Sequence, residues 1–227
     1  MGPTADGVRI GHCPPQGGRQ EADTPWRHPL GALVLLLLVD LDPDLAALTP
    51  LGGFFVLRTG GAARGPLPTL AQVYENRPSE VYGNSITFRV EKVAAALRAP
   101  ELRIAASIFQ QGLAARLWSV TLGCAVSYGR VPDLDPGSLH WDPGASAPDD
   151  LWLSQVRPRP ADAATLVDVV LRGHLEPLAA VLRTHYRIAP GLLWGNAASA
   201  LTGTARQLGA SARPLTAALL ALSLIHI

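Results

Sequence analysis

The stretch ELRIAASIFQQGLAARLWSVT, residues 101–121, decides the fold. Its apolar side chains recur every three or four residues, which is the spacing of one face of an α-helix. The pattern therefore predicts a helix over 101–121 whose apolar face lines the core. Just before it, the same spacing over 86–97 predicts a second helix, which Pro100 ends because proline cannot continue a helix.

The sequence after residue 160 predicts further helices. Asp162 can cap one of them, because its side chain can accept a hydrogen bond from an amide of the first turn. Gly173 and Pro177 indicate a kink or a restart, and Pro190 suits the first turn of the next helix. The predicted segments are 163–172, 178–186, 190–208 and a last one from 214 to the C-terminus.

Short runs between these helices alternate with the two-residue period of a β-strand. In one of them Cys124, Val126 and Tyr128 alternate with smaller residues, and a second run covers 151–155. Residues 54–57, after a Gly-Gly pair, are a third strand candidate. The predicted fold class is therefore mainly α with a small antiparallel β-sheet (α+β), in a single domain.

The composition favours a folded protein and excludes several classes of function. Hydrophobic residues make up 48% and charged residues 16% of the 227 residues, a balance that can offset chain entropy by burial. The net charge is +1 and the arginines are scattered, so we expect no nucleic-acid partner. The longest apolar run, 30–39, is half of the roughly 20 residues that a membrane-spanning helix needs, so no transmembrane segment is expected. Cys13 and Cys124 stand far apart and form no disulfide framework, which favours a cytoplasmic setting.

The common catalytic and nucleotide-binding motifs do not occur in the sequence. It contains no Gly-x-Ser-x-Gly nucleophile motif and no glycine-rich phosphate loop. His174 and His185 are eleven residues apart, about 16 Å along a continuous helix, too far to share a metal ion unless the helix breaks. We therefore assign no metal ligands. His174 is either a hydrogen-bonded residue at a helix end or a ligand contact.

Trp118 and Trp194 each allow two interpretations. Each indole can bury about 150–250 Å², so core packing alone explains its presence. Around Trp194, Gly195 and three alanines form a thin helix surface that a ligand could approach closely. A flat indole ring beside the amide of Asn196 suits a polar organic ligand.

Four strings resemble the ferric iron reductase FhuF-like family of siderophore-interacting proteins. They are VPDL at 131–134, LAARLWS at 113–119, GHLEPL at 173–178 and LLWGNAASAL at 192–201. The resemblance spans residues 50–222 and implies a largely helical, cytoplasmic domain that reduces the iron of an imported ferric siderophore. Within or beside these strings lie the candidate substrate-binding residues, whereas no catalytic residue is assigned. The candidates are Arg116, Trp118, His174, Trp194 and Asn196.

The cofactor of the family is a 2Fe-2S cluster held by four cysteines near the C-terminus. The resemblance implies a Cys-Cys pair followed about ten residues later by Cys-x-x-Cys. This chain instead ends in ALSLIHI at 221–227, and LSLIHI resembles translated sequencing adapter. We therefore expect a partly disordered N-terminal segment, 1–50, and a FhuF-like domain, 51–227, truncated before its cysteine motif. Sequencing the locus beyond codon 227 tests the truncation.

Purified protein is expected to show no cluster absorbance after reconstitution with iron and sulfide. A 2Fe-2S cluster needs four protein ligands, usually thiolates, and the sequence contains two cysteines. Visible absorbance and iron analysis measure the outcome. A stoichiometric 2Fe-2S spectrum would show that other side chains complete the ligand set.

Two alternatives to a reductase remain at the level of sequence. In the first, the chain is a binding module that contacts a siderophore or another polar metabolite without electron transfer. In the second, it is a non-catalytic helical fragment whose strings are only core. A siderophore synthetase is disfavoured because the chain has no room for a nucleotide-binding half. The reductase interpretation requires a ferric siderophore and an unidentified electron donor as partners.

Overall fold

The computed structural model describes residue 45 and residues 47–59 and 66–223. Most of the predicted N-terminal segment 1–50, the apolar run 30–39 and Cys13 lie outside the described residues. The last four residues of the chain do so as well.

Helices make up most of the described chain, which confirms the predicted fold class. A π-helical segment, Val167–Leu175, joins the α-helix Ala163–Leu166 to the α-helix Glu176–Tyr186. The α-helices are α1 Leu70–Tyr74, α2 Ser85–Leu97, α3 Leu102–Tyr128, α4 Ala163–Leu166, α5 Glu176–Tyr186, α6 Pro190–Leu208 and α7 Arg213–Ser223.

Short strands form two small sheets beside the helices. In the first sheet β4 lies between β1 and β3, antiparallel to β3 and parallel to β1. In the second sheet β2 pairs with β5 in antiparallel register. The strands are β1 Arg58–Thr59, β2 Arg130–Pro132, β3 Leu139–Trp141, β4 Leu151–Leu153 and β5 Pro158–Pro160.

Helix α3 forms the centre of the fold. It packs mainly against α6, and it also contacts α2, α5 and β2. Every residue from 113 to 125 except Ala115 is buried, as expected for a helix that is apolar on all sides. The ring of Phe55 lies directly on this helix, because a Cβ on Gly123 would be only 2.8 Å from Phe55 Cδ1. The absence of a side chain at Gly123 thus allows the close approach.

Two of the predicted strands are wrong. Residues 124–128 continue helix α3, which ends at Gly129 in the left-handed conformation with φ 65°. The alternation misled because both sides of α3 pack against other elements, so its buried positions do not follow a helical period. Residues 53–55 form a 3₁₀ turn, and the strand that follows is only Arg58–Thr59.

Other helix boundaries agree with the local signals in the sequence. Asp162 Oδ1 accepts a hydrogen bond from the amide of Thr165 at 2.8 Å, and Pro190 is the first residue of α6. Near Gly173 the chain widens into the π-helical segment and continues into α5 without an intervening loop. None of the helices in the described part of the chain has the length and apolar character needed to cross a bilayer.

Candidate functional site

A cavity of about 270 Å³ lies between α2, α3 and the loop that precedes β4. Its walls are mainly apolar, and two arginines and one aspartate supply its charges. The residues that define its chemistry are Phe54, Arg89, Phe109, Arg116, Trp141 and Asp150.

Arg116 is a buried cation with one unused donor. The residue is 1% exposed, and its Nε donates to Asp150 Oδ1 at 2.9 Å. Its Nη1 donates to the backbone carbonyls of Gly53 and Phe54. Nη2 is buried and has no hydrogen-bond partner among the residues that the structure describes. Burial lowers the pKa of Arg116, and the carboxylate of Asp150 opposes that shift, so the guanidinium stays charged.

Arg89 contributes the second cation from helix α2. Its Nη1 donates to the carbonyls of Pro143 and Ala145, at 3.2 and 2.6 Å. Its Nε is buried and, within the described ranges, without a partner. Burial lowers the pKa of Arg89, and the nearby Asp150 counteracts this. Two guanidinium groups and one carboxylate give the cavity a net charge of +1.

Aromatic rings form one wall and the mouth of the cavity. Phe109 and Trp141 are stacked, with ring centroids 5.3 Å apart and planes inclined by 22°. Phe54 is 45% exposed beside them. Gly112 of α3 also faces the cavity, and a Cβ placed there would meet no atom of the described residues within 4 Å. The space beside this part of α3 is therefore open.

His174 is buried in the π-helical segment, and both of its ring nitrogens have protein partners. Nε2 lies 2.6 Å from the carbonyl oxygen of Leu134, so Nε2 carries the proton and donates. Nδ1, 2.9 Å from the Tyr74 hydroxyl, is then the acceptor. Burial lowers the pKa of His174 to about 4, so the ring is neutral at pH 7.

The other three candidate residues lie outside the cavity. Trp118 is 1% exposed within the core, and Trp194 is half-buried against it. Asn196 Nδ2 donates to the carbonyl oxygen and the hydroxyl of Ser107, at 3.2 and 2.8 Å, which ties α6 to α3. Of the five sequence candidates, Arg116 alone lines the cavity.

Sequence reasoning missed the residues that complete the site around Arg116. Arg89, Asp150 and Gly112 belong to no recognisable motif, and Asp150 lies 34 residues from its partner. Trp141 is a large aromatic residue in a Pro/Asp/Gly-rich segment, and that contrast is a signal that sequence reasoning could have used.

The residues present do not fit a four-cysteine iron–sulfur cluster. The sequence has two cysteines, and Cys124 is fully buried in the core. Over the described ranges, no three His, Cys, Asp or Glu side chains lie together as metal ligands would.

Comparison with known proteins gives one family. Searches of curated proteins and of solved structures gave no match. The sequence profile described as "Ferric iron reductase FhuF-like transporter" matches residues 107–225, more than half of the chain. The matched part contains Arg116 and Asp150 and runs from α3 into α7, whereas Arg89 precedes it. The chain therefore belongs to the FhuF-like ferric iron reductase family.

Proposed function

We propose that this chain binds a ferric siderophore, with one oxygen-rich arm of the chelator in the cavity beside Arg116. Its family is one of ferric iron reductases, which supports iron release by reduction as the pathway in which it acts. We extend the proposal to a cytoplasmic location, on the family resemblance and the lack of a disulfide framework.

The main support for this proposal is Nη2 of Arg116, a buried donor without a hydrogen-bond partner among the described residues. A buried polar group without a partner costs about 1–3 kcal/mol, so an occupant that accepts a hydrogen bond from Nη2 would recover free energy. Ferric iron is a hard cation, and its chelators hold it with hard, often anionic oxygens. A guanidinium forms strong, charge-assisted hydrogen bonds with such oxygens. Asn196 and His174 already use polar atoms on protein partners, so we assign the ligand contact to Arg116.

Iron release needs one electron for each ferric ion. Reduction to the ferrous state lowers the charge of the metal, and hard oxygen ligands then hold it less tightly. We propose that an unidentified donor supplies the electron, by a route that does not use a cluster held by residues 1–227. The chain itself would bind and orient the chelate.

A non-redox binding module is the second candidate function. The observation that favours it is the cysteine content, since Cys124 is buried and only one other cysteine exists in the sequence. In that case the cavity would hold the same chelate or a related metabolite, and no electron would move.

Titration with a ferric trihydroxamate is expected to quench tryptophan fluorescence saturably, because Trp141 forms part of the cavity wall. Arg89→Gln should weaken binding about tenfold or more, since a hydrogen bond to a charged group contributes about 1.5–3 kcal/mol. Arg206→Gln, an exposed arginine of α6, is the matched control and should bind normally.

A ferrous-specific dye separates the two candidate functions. With dithionite as reductant, the reductase proposal predicts that the protein accelerates appearance of the ferrous complex. Saturable binding without acceleration would favour the non-redox module. Absence of saturable quenching, with N-acetyltryptophanamide as the control for light absorption by the chelate, would contradict both.

A further inference from the structure

The cavity beside Arg116 is too small for a whole iron chelate. Its volume is about 270 Å³, just below the roughly 300–1,000 Å³ typical of pockets for drug-sized ligands. A hexadentate chelate is larger than such ligands. Only one compact group, free or as the arm of a larger molecule, can therefore enter.

The charges of the cavity select a single negative charge. Asp150 accepts a hydrogen bond from Arg116 at 2.9 Å and neutralises that guanidinium. Arg89 donates to two backbone carbonyls, and among the described residues the carboxylates of Asp150 and Asp142 act on it without a hydrogen bond. One positive charge is thus left for the occupant, and two buried donors, Arg116 Nη2 and Arg89 Nε, lack partners in the described chain.

The apolar walls of the cavity favour a planar group in the ligand. The stacked Phe109 and Trp141 line the cavity together with Val93 and Ile108. An aromatic ring placed against such a wall gains stacking or edge-to-face contacts that a saturated ring does not. A planar anion also matches the planar fork of a guanidinium.

Gly112 supplies an independent indication that the space is used. Glycine within a helix is destabilising relative to alanine, and α3 extends well beyond this residue on both sides. No atom of the described residues lies within 4 Å of the position that its Cβ would take, so packing within the protein does not require glycine. A side chain here would instead project into the cavity that Gly112 lines.

We propose that this cavity binds an aryl carboxylate, that is, a planar aromatic group with one negative charge. The carboxylate lies against the guanidinium groups of Arg89 and Arg116, and the ring lies against Phe109 and Trp141. The inference rests on the proposed function only in taking this cavity as the ligand site.

Isothermal titration calorimetry with benzoate, in the absence of iron, tests the proposal. Benzoate should bind with 1:1 stoichiometry. Benzamide, which is neutral, and cyclohexanecarboxylate, which is not planar, should each bind at least about tenfold more weakly. Phthalate, a dianion, should also bind more weakly than benzoate. Equal affinity for benzoate and benzamide, or no binding of benzoate, would overturn the inference.

Gly112→Leu provides a variant that does not disturb the buried ion pair. The added side chain should fill the cavity and abolish benzoate binding, while the thermal midpoint stays equal or rises. Gly203→Leu is the matched control, because Gly203 is an exposed helical glycine of α6 that also has open space around its Cβ. Wild-type affinity in Gly112→Leu would overturn the proposal.

The source of the aryl carboxylate is distinguished by a second titrant. If a ferric salicylate complex binds more tightly than salicylate alone, the natural occupant of the cavity is the arm of an iron chelate. If salicylate alone binds more tightly, the natural occupant is a free acid. If neither the ferric trihydroxamate nor the ferric salicylate complex binds while benzoate binds, the proposed function fails and this inference stands. If benzoate fails while the chelate binds, the inference alone fails.

Discussion

Asp150→Asn is expected to lower the free energy of unfolding by about 3–5 kcal/mol, because it leaves the guanidinium of Arg116 buried without a counter-ion. The side chains of the two residues are 2% and 8% exposed, so little water can contact the guanidinium in place of the lost carboxylate. Proteins of this size are stable by roughly 5–15 kcal/mol, so the loss is a large part of the total. Urea denaturation followed by circular dichroism measures it.

The neighbouring residue offers a matched control. Asp149 pairs with Arg58 at 2.8 Å, but their side chains are 48% and 42% exposed. Asp149→Asn should therefore cost at most about 1 kcal/mol. Replacing both buried partners, as in Arg116→Met with Asp150→Leu, should restore most of the stability lost in Asp150→Asn. Equal losses for Asp149→Asn and Asp150→Asn would show that burial does not control the strength of these pairs.

Acidification is expected to destabilise the protein by about 3 kcal/mol between pH 6.5 and pH 4 through His174 alone. Burial lowers the pKa of His174 from its ordinary value of 6.5 to about 4 in the folded state. Between these two values the unfolded chain binds a proton that the folded chain does not. Stability from this residue is therefore complete above pH 6.5 and is lost as the pH falls towards 4. Urea denaturation at a series of pH values measures the slope.

His174→Gln removes the titrating group and retains an amide that can donate to the carbonyl oxygen of Leu134. The variant should be less stable at pH 7, because the hydrogen bond from Tyr74 is altered. Its unfolding free energy should depend less on pH between 6.5 and 4 than that of the wild type. Parallel pH profiles for the two proteins would show that His174 is not the group that titrates.

Several helices could be predicted from local signals, although α1, which has a capping box of Thr69 and Gln72, was not. Asp162 and Pro190 mark helix starts through capping and backbone geometry that involve only the next few residues. The apolar face over 101–121 likewise depends only on spacing within the helix. Such signals predict a helix without knowledge of what the helix packs against, so the prediction holds whatever the tertiary contacts are.

The interpretation of 124–128 failed because it depended on tertiary surroundings. Cys124 and Ala125 are both buried, although they point to different sides of the helix. A run of five residues whose first two positions are buried on different sides of the helix is too short to distinguish a helical period from that of a strand.

The candidate site could be predicted only at Arg116, the one site residue within a family-like string. Asp150 and Arg89 reach the cavity through the folding of a distant loop and a separate helix, and neither has a sequence signature. Gly112 gives no signal in the sequence, since an interior glycine is recognisable as open space only once the neighbouring elements are in place. A pocket assembled from five segments of the chain is a property of the tertiary structure.

The enclosure of α3 has a consequence for how this sequence can change over evolutionary time. A surface helix tolerates charged and polar replacements on its outer side, but residues 113–125 have hardly any outer side. Each replacement there must fit the shape of a neighbouring side chain. At Gly123, for example, the ring of Phe55 leaves no space for a Cβ. Divergence among relatives should consequently accumulate on α2, α6 and α7, while the middle of α3 changes slowly and anchors any comparison between distant members.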